Sequence, residues 1–156
     1  MTVPTPPVEV FFSYAHKDET YREELLTALA NLRRQKVIAA WHDRMIGAGT
    51  EWAGQIDTHL KSAQVILLLI SPDFMASDYC NDIEVAEAMR RHDAGEARVI
   101  PIFVRPVEAE GASFLKLQGL PKDIKPVSTW PNRDEAWLDV ATGIRRAVEA
   151  LTGHPR

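Results

Sequence analysis

Residues 64–70 read Gln-Val-Ile-Leu-Leu-Leu-Ile, a run with six apolar residues in succession that Ser71-Pro72 ends. A membrane-spanning helix needs about 20 apolar residues, and a buried helix is also longer than this run. What remains is a strand covered on both faces, and such strands belong to parallel sheets. The rest of the chain must then supply further strands and the helices that cover them. Residues 8–13 (VEVFFS), 36–41 (KVIAAW) and 97–104 (ARVIPIFV, despite Pro101) are β-branched or aromatic and read as strands; residues 125–129 read as a short edge strand. Between them lie helical periodicities. Tyr21, Leu25, Leu29 and Leu32 recur at three- and four-residue steps, with Asp18 placed to cap and Arg33 and Arg34 at the C-terminal end. Thr50 opens a second helix lined by Trp52, Ile56 and Leu60; residues 80–91 form a third; Trp137, Val140, Ala141, Ile144, Val148 and Leu151 mark the last. Residues 106–125 have weak periodicity and form a long irregular excursion.

Strand–helix alternation of this kind predicts an α/β, doubly wound sheet of about five parallel strands flanked by helices. One domain spans residues 8–151. Residues 1–7, with Pro4, Pro6 and Pro7, form a loose tail, and residues 152–156 a second tail or the start of a linker.

The charge balance, 18 Lys plus Arg against 22 Asp plus Glu for a net −4, argues against wholesale nucleic-acid binding. Five His and a single Cys show no metal-ligand spacing, so no metal is expected. Cys80 alone forms no internal disulfide and points to a reducing, cytoplasmic location; no signal peptide or membrane span is expected.

In a doubly wound sheet the ligand site lies beyond the carboxyl ends of the strands, at the switch point. Those ends bring forward Ser13, Tyr14, His16 and Lys17, then His42, Asp43 and Arg44, then Ser71, Asp73 and Asp78. Familiar phosphate-binding signatures are absent. The first strand is followed by YAHKDE with no glycine, so the G-x-G-x-x-G fingerprint fails, and Gly47-Ala48-Gly49 lacks its third glycine. There is no P-loop and no G-x-S-x-G elbow, and Ser71 stands where a phospho-receiver needs Asp. The concentrated feature is Ser77-Asp78-Tyr79-Cys80-Asn81-Asp82-Ile83-Glu84-Val85-Ala86-Glu87, opening the third helix. Cys80, Glu84 and Glu87 or Ala88 share a face there, although acidic residues in first turns also simply complement the helix dipole.

Five segments in order, Val10-Phe11-Phe12-Ser13-Tyr14-Ala15-His16-Lys17-Asp18, Trp41-His42-Asp43-Arg44 with Gly47 and Gly49, Leu67-Leu68-Leu69-Ile70-Ser71-Pro72-Asp73-Phe74, Ser77 to Glu84, and Val99-Ile100-Pro101-Ile102-Phe103-Val104, resemble a Toll/interleukin receptor (TIR) domain of the type found in bacterial immune proteins. The resemblance covers about residues 8–150 and implies a flavodoxin-like fold. Some members cleave NAD at the nicotinamide–ribose bond with one glutamate on the third helix; others associate with one another as signalling scaffolds. It implies Glu84 as the catalytic carboxylate, with Glu87 the nearest alternative. Ser13, Tyr14, His16, Asp43, Arg44, Gly47, Tyr79 and Cys80 are implied at the substrate, and Met45 and Ile46 at a self-association surface. NAD is implied as substrate, with no cofactor. Implied partners are other TIR domains and a sensor or oligomerisation domain C-terminal to the chain, in signalling or anti-phage immunity. Cys80 occupies a position often held by Trp in NAD-cleaving members. One extra residue separates Tyr79-Cys80 from Glu84 compared with the plant-like W-C-x-x-E pattern.

The chemistry is consistent with one carboxylate. Glycosidases generally use two, one of them to protonate the leaving oxygen. The leaving group of NAD is a pyridinium that departs neutral, so it needs no acid, and a single carboxylate against the ribose can stabilise the positive charge that spreads there. If that carboxylate is buried, its ionisation depends on nearby hydrogen-bond donors. A homotypic interaction module without catalysis is the alternative reading, and nucleoside cleavage or transfer a third.

Overall fold

A computed structural model describes residues 6–42 and 58–153, with the backbone alone at Trp41 and His42. The apolar run is strand β3 (Val65–Ile70), every residue of it buried. It lies between β1 (Val8–Ser13) and β4 (Arg98–Phe103), and β2 (Ile38–His42) flanks β1, giving the parallel order β2-β1-β3-β4. The chain builds outward from β1 in one direction and from β3 in the other, so the topological switch point falls between β1 and β3. Their register sets Ser13, the last residue of β1, opposite Leu68.

Alternation along each strand divides the core into two layers. Val10, Phe12 and Tyr14 of the β1 segment face Leu25 of α1 (Glu19–Ala28), Leu32 of α2 (Ala30–Arg34) and Val140, Ile144 and Val148 of α6 (Arg133–Thr152). Phe11 with Ile66, Leu68 and Ile70 faces the other way. This side packs on Leu60 of α3 (Thr58–Ser62), Phe74 of α4 (Pro72–Ala76) and Ala88 and Met89 of α5 (Ala86–Asp93). The sheet is thus covered on both faces, as the run at 65–70 requires.

Four points of comparison with the sequence expectations stand out. The first helix breaks at Leu29 into α1 and α2, while Leu29 stays buried and the apolar stripe continues. In α6 the expected stripe ends early. Asn132 caps the start by accepting the Glu135 N–H at 3.2 Å and Gly153 ends the helix with φ 73°, but Leu151 is 42% exposed because the helix has outrun the core by its final turn. The second helix is described only over Thr58–Ser62; Thr50, Trp52 and Ile56 lie outside the described residues.

The fourth concerns strand number. The sheet has four strands among the described residues, not five, because residues 125–129 form a 3-10 turn (Val127–Thr129) instead of an edge strand. Pro126 has no N–H to offer a ladder, and Val127 is spent as a fully buried plug in the core. The outer edge of β4 is closed otherwise. Leu120 forms one parallel bridge to Ile102, donating its N–H to the Pro101 carbonyl (2.9 Å) and accepting the Phe103 N–H (2.8 Å). Farther along, Val99 donates its N–H to His92 Nδ1 at 3.2 Å. Pro101 is tolerated inside β4 because its missing donor falls on this edge.

Candidate active site

After β1 the chain makes a 3-10 turn (His16–Asp18) and enters α1. After β3, Ser71 caps α4 by accepting the Phe74 N–H at 3.0 Å. The chain then enters a π-helical turn, Tyr79–Val85, that runs straight into α5. A π turn admits one residue more than an α turn and is frequent at functional sites. Here the wider turn keeps both Glu84 and Val85 on the buried side together with Cys80, and it occupies the stretch where this chain has its extra residue.

Two side chains fasten this turn to the end of β1. Ser13 Oγ donates to Glu84 Oε1 at 2.7 Å, both residues being 0% exposed, and Cys80 Sγ donates to the Tyr14 carbonyl at 3.6 Å. Burying a carboxylate costs heavily unless it is hydrogen-bonded, and Ser13 supplies a donor. Glu84 therefore sits at the carboxyl edge of β1, beside the β1/β3 switch point. Glu87 is placed differently. It lies on the flank of α5 in an ion pair with Arg90, whose hydrogen bond holds the Glu87 carboxyl below the usual carboxylate range.

Asn81 is a positioning residue that sequence reasoning passed over. Its Nδ2 group donates to the carbonyls of Ser77 (2.7 Å), Phe74 (2.9 Å) and Met75 (3.3 Å), tying the end of α4 to the π turn, and Ser77 Oγ accepts the Cys80 N–H at 3.1 Å. Replacing Asn81 by Ala leaves those carbonyls at the end of α4 without this donor. The expected loss is about 1–3 kcal/mol of stability, read by urea denaturation; a change within about 0.5 kcal/mol would show that the turn holds its shape without the latch.

A second polar group stands on the same edge of the sheet. Asp18 is fully buried and accepts from Ser71 Oγ and from Arg105 Nε at 3.0 Å; Arg105 also pairs with Asp73, and Lys17 lies 3.9 Å from Asp73. Burial pulls the Arg105 guanidinium down, and its bonds to Asp73 and Asp18 more than offset this, leaving it raised. Asp18 thus occupies the helix-start position expected of it, but its side chain makes no capping bond to α1. The carboxylate instead joins the loops that leave β1, β3 and β4. The sequence signal available was Asp18 itself, one turn beyond the end of β1; its partners are 53 and 87 residues away.

The other candidates divide. Tyr79 is half-buried on the π turn and His16 is exposed after β1. Tyr14 is a correction. Its ring is buried in the opposite layer, against α1 and α6, where its hydroxyl donates to Glu19 Oε2 at 2.9 Å and Arg22 lies 5.8 Å from its centroid. Strand alternation sends Tyr14 and Ser13 to opposite faces, so only the backbone of Tyr14 meets the π turn. Asp43, Arg44, Met45, Ile46 and Gly47 lie outside the described residues. Among the described residues no group of three or more metal-ligating side chains converges, and no helix is long and apolar enough to cross a membrane.

Comparison with known proteins agrees with this architecture. A family model described as the TIR domain matches residues 10–141. An uncharacterized protein, y4lF, of Sinorhizobium fredii (strain NBRC 101917 / NGR234) is 51% identical over 143 residues, covering 92% of this chain; the chain spans 44% of that protein's length. Among solved structures, the TIR domain of the Toll-related receptor TRR-2 from Hydra magnipapillata superposes with a TM-score of 0.60, at 23% identity, over 87% of this chain and 97% of that one. The match of the family model over most of the chain, on a parallel sheet wound in this order, places the protein in the TIR domain family.

Proposed function

We propose that this TIR domain is an NAD glycohydrolase with Glu84 as its catalytic carboxylate, acting in signalling or immunity. The observation that carries the reading is the placement of Glu84. It is held by Ser13 at 2.7 Å on a π turn beside the β1/β3 switch point, where sheets of this class take their ligands. In the reaction the bond between ribose C1′ and the nicotinamide nitrogen breaks, and its electron pair neutralises the departing pyridinium. The ribose centre becomes oxocarbenium-like, and the Glu84 carboxylate stabilises that charge. Water then adds to C1′ and releases a proton, giving ADP-ribose; attack by another nucleophile of the same molecule gives a cyclic isomer instead. No general acid is required.

Glu84 is 0% exposed, so the resting domain keeps its carboxylate from solvent. Catalysis on this reading follows an opening of the site in an assembled state, with residues of a neighbouring copy completing the cleft. A nicotinamide-release assay on the purified domain, dilute and then at high concentration with a crowding agent, tests this. The expected result is specific activity that rises at least about tenfold per molecule on crowding, since concentration drives assembly by mass action. A rate per molecule independent of concentration would remove the assembly requirement. The same closed carboxylate favours the scaffold reading as the alternative, and absence of release from protein shown to be folded and assembled would establish it.

A further inference from the structure

Because no fifth strand covers β4 among the described residues, space remains between its outer edge, α6 and the 106–125 excursion. A cleft of about 500 Å³ occupies it, lined by His92, Arg98, Leu117, Leu120 and Arg146 with the backbone of Val99 to Ile100 behind. That volume is in the range of small-molecule sites. Among the described residues no carboxylate lines this cleft, although acidic residues outnumber basic ones in the chain, 22 to 18.

Its cations are also uncommitted. Arg22, Arg90, Arg105, Lys116 and Arg133 each pair with a carboxylate. Among the described residues, Arg98, Arg146 and His92 make no such pair; Arg98 gives one long bond, 3.4 Å, to the Ala147 carbonyl. His92 accepts the Val99 N–H on Nδ1 at 3.2 Å, which leaves Nε2 as the ring's donor. Two guanidiniums and one N–H donor beside an apolar wall form a set of donors that pairs with no carboxylate among the described residues, Arg146 also bordering the adjoining cleft that holds Asp123, Glu135 and Asp139. Guanidinium forks match phosphate oxygens in pairs, and Leu117 and Leu120 offer a surface to a planar or branched body.

We propose that the cleft between β4, α6 and the 106–125 excursion binds an organic phosphate. The phosphate sits against Arg98 and Arg146, with the apolar part on Leu117 and Leu120. This site lies at the edge of the sheet, away from the switch point, and does not depend on the reading of Glu84.

Isothermal titration with AMP and phenyl phosphate, beside adenosine and inorganic phosphate, tests it on wild type and on Arg146→Ala, Arg98→Ala and Glu84→Gln. The expected result is saturable binding of both organic phosphates with Kd below about 1 mM. Adenosine and inorganic phosphate bind at least about tenfold more weakly, and each arginine variant loses about tenfold or more, as removal of a charge-assisted bond implies. Arg146 is an exposed residue of α6, so its variant keeps the fold, which a thermal melt checks. Glu84→Gln binds as wild type does. Binding unchanged in both arginine variants, binding lost only in Glu84→Gln, or no saturable heat up to about 10 mM of either organic phosphate would each overturn the proposal.

Discussion

Replacing Glu84 by Gln is expected to lower nicotinamide release from NAD by at least about 10²–10³-fold, the range seen when one preorganised electrostatic group is removed from a transition state. Gln is the informative substitution because it separates charge from packing. Its side-chain carbonyl still accepts from Ser13 Oγ, where Glu84 Oε1 does at 2.7 Å, and its volume still fills the buried position on the π turn. The negative charge is lost, and the second carboxylate oxygen becomes an NH2 donor. Circular dichroism and the concentration dependence of assembly should therefore match wild type while turnover falls. Glu87→Gln serves as the neighbouring control, since Glu87 is committed to Arg90 on the flank of α5. It should leave turnover within about threefold, the effect of a surface change of about 0.5 kcal/mol. Full activity in Glu84→Gln would remove the catalytic assignment, and loss in Glu87→Gln alone would transfer it.

The second large effect is on stability. Asp18→Ala is expected to destabilise the domain by about 3–5 kcal/mol, because it removes two hydrogen bonds to a buried charged group, from Ser71 and from Arg105, each worth about 1.5–3 kcal/mol, and leaves Arg105 with Asp73 alone. The magnitude discriminates between two roles. If Asp18 were only a helix cap, the same substitution would cost about 0.5–2 kcal/mol. The geometry favours the larger figure, since its side chain makes no bond to the helix start and is 1% exposed. Urea denaturation of Asp18→Ala, Arg105→Ala and the double variant measures it; the double should lie well short of the sum of the singles, since contacting residues couple. Additive losses, or a loss of about 1 kcal/mol in Asp18→Ala, would reduce Asp18 to an ordinary helix-start residue.

These two residues also show what a chain of this kind discloses before it folds. Glu84 was singled out by the resemblance of the Ser77 to Glu84 segment, since spacing alone describes an ordinary helix-start acid, whereas the buried strands were legible because VILLLI admits few other conformations. The parallel, doubly wound class followed from strand–helix alternation, while the order β2-β1-β3-β4 came from the structure. Three features were not legible, each for a reason of distance or direction. The partners of Asp18 come from the ends of other strands, so its cap-like context in the sequence pointed to the wrong role. Tyr14 adjoins Ser13 in sequence, yet the pleat turns its ring into the opposite layer. The 125–129 segment has strand-like composition, but Pro126 withholds a donor and Val127 is drawn into the core, so tertiary packing overrides propensity. The π turn left one trace, the extra residue before Glu84.

The closed outer edge of β4 has a consequence for how such a molecule tolerates crowding. An unpaired parallel edge offers a template on which further chains stack as cross-β ribbon. Along β4 the Val99 and Phe103 donors are occupied by an imidazole and by Leu120, and Pro101 has none to give. A domain whose proposed activity rises with local concentration can therefore be gathered densely without seeding fibres from this side, β2 forming the other edge of the sheet.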